Sequence, residues 1–218
     1  MRFILIFILG LTMACSYINK PQKAQATENL IALLDTIWRT EQEPIILRDS
    51  LMRIYGADSE QFQEQQEIYK RNHLINERKI KNILDNYGWP TKEMIGESGN
   101  LTICNVIQHS DNSIRLKYLP LMRQAVKEEK LEPRFLGRAE DRIATERGDL
   151  QIYGTQIKYY PETKIFDVWP INDPVNIDKK RAEIGLEPIA EFLKNRFEIE
   201  WHIEEQIKRT EEFEKEKN

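Results

Sequence analysis

Apolar residues recur at three- and four-residue spacing through the first half of the chain. Leu30, Leu33, Leu34, Ile37 and Trp38 make one helical face, with Thr27 as a candidate N-cap. The same period predicts a helix over 45–55 closed by Gly56, and another over 59–87 carrying Phe62, Tyr69, Ile80, Ile83, Leu84 and Tyr87. Gln61, Gln63, Gln65 and Gln66 make the first half of that helix polar on most sides. Gly88-Trp89-Pro90 ends it, because glycine tolerates a left-handed turn and proline cannot continue a helix. Residues 101–109 are apolar around most of the circumference, which predicts a buried helix. Thr102, Asn105 and His109 share the one narrow polar stripe on it.

Pro120 is predicted at the first turn of a new helix reaching about 129, with Leu121, Met122, Ala125 and Val126 inward. A further helix spans 133–147, with Phe135, Leu136, Ala139 and Ile143 inward, and Gly148 stops it. The period then changes. Residues 151–157 and 164–169 read as two short strands around Pro161-Glu162-Thr163, a β-hairpin. A short helix over 177–184, a last helix over 186–197 and a charged tail over 198–218 complete the chain. The fold class is mainly α: a single helical domain with one small β-hairpin near the C-terminal third.

The N-terminus adds an address. Met1-Arg2 precedes an apolar run from Phe3 to Met13 that only Gly10 and Thr12 interrupt, and Ala14 stands before Cys15. That layout predicts a secretory signal peptide over 1–14. The run falls short of the roughly 20 apolar residues that span a bilayer. The Ala14-Cys15 junction resembles the lipobox of bacterial lipoproteins, departing from it at Thr12, where the pattern has an aliphatic residue. The resemblance implies cleavage before Cys15, lipidation of Cys15, and a protein held in the cell envelope by its membrane anchor. The alternative is an ordinary secretory signal with Cys15 incidental. Residues 15–27 are polar and read as a flexible tether, 28–197 as the domain and 198–218 as the tail.

Composition narrows the chemistry. A formal net charge of −4 with many charges of both signs gives a mixed surface, and no basic cluster interleaved with aromatics suggests nucleic acid as a partner. With Cys15 consumed, Cys104 has no disulfide partner, and its neighbours Ile103, Val106 and Ile107 mark it as a buried apolar group. There is no glycine-rich phosphate loop, paired-histidine zinc helix, cysteine zinc ladder or Gly-x-Ser-x-Gly elbow. Three histidines, His73, His109 and His202, are too few for a histidine-rich metal site. His73 and His202 sit in polar runs and are expected at the surface. The sequence names no cofactor.

Gly88-Trp89-Pro90, Gln108-His109-Ser110-Asp111, Leu119-Pro120-Leu121-Met122, Asp141-Arg142, Tyr153-Gly154-Thr155-Gln156 and Arg181 with Gly185-Leu186 follow one another in this order. The set resembles an uncharacterised bacterial family, a domain of unknown function, over roughly 87–193. The resemblance implies a shared fold and a shared site at His109, Asp111, Asp141, Arg142, Tyr153 and Gln156, and supplies no activity. The tract 127–130 lacks the glycine expected in the turn that follows.

Two readings of these residues stay open. His109, two residues from Asp111, suits a general base oriented by a carboxylate or one ligand of a metal; equally, it suits a helix C-terminus. Asp141 falls nearly opposite the inward stripe of its helix, either solvated or facing a polar cleft with Tyr153 and Gln156, and Arg142 lies at the flank. The chain is therefore expected to be an envelope interaction or ligand-binding module, with an envelope hydrolase using His109 and Asp111 or Asp141 as the alternative.

Overall fold

The computed structural model describes residues 20–160 and 165–217. The proposed signal peptide and Cys15 lie outside the described residues. Eight helices and one two-stranded antiparallel sheet are described: α1 (Lys20–Tyr55), α2 (Glu60–Tyr87), α3 (Lys92–His109), α4 (Asn112–Lys127), α5 (Pro133–Glu146), β1 (Ile157–Tyr160), β2 (Ile165–Val168), α6 (Ile177–Glu183), α7 (Ile189–Phe197) and α8 (Ile203–Lys217). The mainly helical class with a single small hairpin is the architecture observed. None of the described helices is long and apolar enough to cross a membrane.

Helices α1 and α2 form a long antiparallel hairpin that packs on α3, and α4 packs on α5. Their shared core runs through Leu34, Ile37, Ile80, Ile83, Leu84, Ile103, Ile107 and Met122. A second, smaller core joins the hairpin to α6 and α7 through Val168, Ile171, Ile177, Ile189, Phe192 and Leu193.

Several boundaries differ from the expectations, each for a physical reason. Helix α1 is one element, not two, and runs straight through Pro44. A proline has no N–H for the carbonyl four residues back, here that of Thr40. Asn72 on α2 donates its Nδ2 to that carbonyl at 2.9 Å, so the break is satisfied from the neighbouring helix. The helix begins at Lys20, so Thr27 is inside it and not its cap, and 20–27 are helical where a tether was expected. Helix α4 likewise contains Pro120, which is exposed, so the carbonyl it frees can be hydrated. The expected charged tail includes α8, tied back by Thr210 Oγ1 to the Ile171 carbonyl and by Arg209 to Asp167.

His73 corrects the surface expectation. It is buried and its Nδ1 lies 3.1 Å from Glu41 Oε2, while Asn76 donates to Glu41 Oε1 at 2.8 Å. A buried carboxylate needs such donors, and this pair pins α1 to α2. Ser110, at the end of α3, lies 3.4 Å from His73 Nε2.

Candidate functional site

The expected strand over 151–157 begins only at Ile157, because side chains capture the backbone before it. Asp141, wholly buried on α5, accepts from the backbone N–H of Ile152 (2.7 Å), Tyr153 (3.0 Å) and Thr155 (3.0 Å) and from Thr155 Oγ1 (2.9 Å). Gln151, also fully buried, takes the Gln156 N–H on its Oε1 and donates to the carbonyls of Gln156 and Trp169. Gly154 turns this loop at φ 67°, and a Cβ there would stand 2.6 Å from Ile189 Cδ1, so the turn needs both the conformation and the missing side chain. Arg181, fully buried, closes the arrangement by donating to the Tyr153 and Glu187 carbonyls and lying 4.8 Å from the Phe192 ring centre.

Asp141 is thus the anchor of the loop and not a solvated or cleft-facing acid. Its helix is covered on both faces, by the helical core and by this loop. Burial pushes its carboxyl up from the ordinary value, and the N–H and hydroxyl donors pull it down. Every partner is a donor, so the pocket suits the ionised form. Asp111 has other work too: it caps α4, accepting from Ile114 N at 3.1 Å and Ser113 Oγ at 2.6 Å, and is exposed. Tyr153 contributes its carbonyl to Arg181 and its ring to the space that Gly137 leaves on α5.

His109, Arg142 and Gln156 do come together. They line a cleft of about 320 Å³ between the two cores, with α3 and α5 on one side and the 155–157 segment and the end of α7 on the other. Asn105, Gln108, Arg138 and Arg196 supply its remaining polar wall, and Phe135, Phe192 and Phe197 its aromatic wall. Among the described residues, no Asp or Glu lines it. Thr102, from the expected polar stripe, is turned away and bonds the Ser98 carbonyl.

Cations dominate the lining, and Glu187, Glu146 and Glu41 act on Arg138, Arg142 and His109 from outside it. Burial holds the Arg138 guanidinium below its ordinary pKa, and Arg196 and Arg134 add to that. Burial and the charge of Arg115 do the same to Arg142. His109 is exposed at the rim, yet the protein crowding its inner side and the charge of Arg142 hold its imidazole below the usual value. Burial pushes the Cys104 thiol up, so the cleft contains a neutral thiol and no thiolate nucleophile. Among the described residues, Arg138, Arg142 and Arg196 form no salt bridge and no side-chain hydrogen bond, and the Arg142 Nε and Gln108 Oε1 atoms are buried without a partner. No group of three or more His, Cys, Asp or Glu among the described residues is placed to hold a metal ion.

The sequence did not single out Arg138, Arg196 or the phenylalanine wall. An arginine at the edge of an amphipathic helix reads as a solvated charge, and nothing in the spacing of residues 138 and 196 announces that they meet.

No curated protein and no solved structure matches the chain. A family model does match, over residues 65–200, which hold every residue lining the cleft. The chain belongs to the family of unknown function DUF6624.

Proposed function

We propose that the chain is an exported envelope lipoprotein, lipidated at Cys15, whose folded domain is a binding module for a small anionic molecule. The observation that carries the binding reading is the unbalanced charge of the cleft. Arg138, Arg142 and Arg196 meet there beside His109, and no carboxylate lines the wall. Glu187 and Glu146 act on Arg138 and Arg142 only from outside the wall, so an oxyanion entering the cleft meets these guanidinium groups directly and takes charge-assisted hydrogen bonds from them. The envelope reading rests on the residue pattern of 1–15. The hydrolase alternative has less support, because Asp111 and Asp141 both have their hydrogen-bonding capacity engaged away from His109.

Thermal unfolding with matched acid and amine probes tests the binding reading. Benzoate is expected to raise Tm and benzylamine to leave it unchanged, with the benzoate effect lost in Arg142→Gln. Stabilisation by the amine, or none by the acid, overturns it. Phase partition tests the anchor: Cys15→Ser moves the protein from detergent into the aqueous phase, and a wild-type protein already in the aqueous phase refutes lipidation.

A further inference from the structure

The cations of the cleft fall into two poles. Arg138 from α5 and Arg196 from α7 act on each other in the cleft wall, where the Arg196 guanidinium stands 5.8 Å from the Phe197 ring centre. Arg142, one turn further along α5, acts instead on the imidazole of His109, next to Gln108 on α3. Arg138 and Arg142 stand four residues apart on α5, which sets their Cβ atoms about 5–6 Å apart on one face with both stems tilted the same way. The same wall also carries uncharged groups: the Cys104 thiol, the Asn105 amide and Ile157.

We infer that the ligand carries two oxyanion groups about one helical turn apart, one for each pole, joined by a short uncharged body. This rests on the anion-binding reading of the same cleft. One oxyanion beside Arg142 leaves Arg138 and Arg196 unmet, and one beside Arg138 and Arg196 leaves Arg142 unmet, whereas a two-headed anion meets both. A cationic substituent on the ligand finds no carboxylate in the wall, which disfavours zwitterions such as free amino acids. The cleft volume of about 320 Å³ suits a molecule of metabolite size.

The test is calorimetric titration of the purified chain with unbranched α,ω-dicarboxylates from succinate to suberate, each against the monocarboxylate of the same length. Affinity is expected to peak at glutarate or adipate, whose carboxyl groups lie about 5–6 Å apart, and to exceed that of the matched monoacid by about tenfold or more. Arg196→Gln and Arg142→Gln should each reduce the best dicarboxylate to monoacid affinity. Among the described residues neither arginine donates a side-chain hydrogen bond, and the Tm of each variant verifies that it folds. If diacids and monoacids bind alike, or affinity is flat along the series, the two-headed ligand is refuted while the anion-binding cleft stands. If no acid binds the wild-type chain, both fall.

Discussion

Asn72 supplies to the Thr40 carbonyl the hydrogen bond that Pro44, four residues further along α1, cannot. A proline inside a helix costs about 3 kcal/mol in isolation, partly through that orphaned carbonyl. Here a side chain from the antiparallel neighbour restores the bond, and 36 residues continue as one helix. Asn72→Ala is expected to destabilise the protein by about 1 kcal/mol in urea unfolding, and by much less when Pro44 is alanine. Equal costs in both backgrounds would show that Asn72 does not compensate for the proline.

Asp141 gives a second prediction. Asparagine there keeps the shape but turns an NH2 group toward backbone donors. Asp141→Asn should therefore lower stability by about 2–4 kcal/mol and loosen the loop that presents Thr155 and Gln156 to the cleft. A variant of unchanged stability would return Asp141 to the list of candidate acids.

The turn after α4 carries a third. Lys130 N–H bonds the Ala125 carbonyl at 2.8 Å and Glu129 N–H the Val126 carbonyl at 3.1 Å, the helix-ending pattern that places one residue in the left-handed region. That residue is Glu129, at φ 58°. Here the glycine expected from the family resemblance is missing, and its conformation is kept without it. Glu129→Gly is expected to raise stability by about 1 kcal/mol, read as a higher Tm, because the left-handed conformation costs a side-chain-bearing residue about that much.

Acid binding should depend on pH through His109. Its imidazole is held below the ordinary 6.5, so at neutral pH it is uncharged. An anion in the cleft favours the protonated ring and raises its pKa. By linkage, affinity is flat above the His109 pKa of the complex, rises as pH falls from there to the lower pKa of the free chain, and levels off below it. A sulfonate probe, whose own charge is constant in this range, isolates the effect, and His109→Gln should abolish it. An affinity that falls on acidification contradicts the placement of His109 in the cleft.

Much of the helical frame was legible, because apolar spacing reports which face of an element is covered. Leu34, Ile37, Ile80, Ile83, Ile103 and Met122 all went where their period sent them. Spacing fails where a distant side chain changes the local rule. Pro44 ends a helix unless Asn72 is beside it, and 151–156 pairs as a strand unless Asp141 and Gln151 take its N–H groups first. Asp141 lies opposite one apolar stripe, which suits solvent or a polar cleft, and the sequence does not show that α5 is covered twice. Of the candidate site, His109, Arg142 and Gln156 converge, Asp111 and Asp141 serve as caps and anchors, and Tyr153 offers its backbone. Polarity in the buried α3 pointed toward the right helix. The partners from α7 lie some 90 residues on, a distance that local pattern does not bridge.

The family match begins at residue 65, inside α2, yet the apolar side of α2 formed by Ile80, Ile83 and Leu84 shares a core with Leu34 and Ile37 of α1. The stretch that the family model matches and the stretch that shares one core therefore differ in length. A piece cut to 65–200 retains every cleft-lining residue and loses one wall of the larger core, along with the Glu41 carboxylate that His73 and Asn76 face. The matched stretch is shorter than the packed core, so a 65–200 piece is expected to melt below the full chain, and work on the cleft is best done with α1 in place.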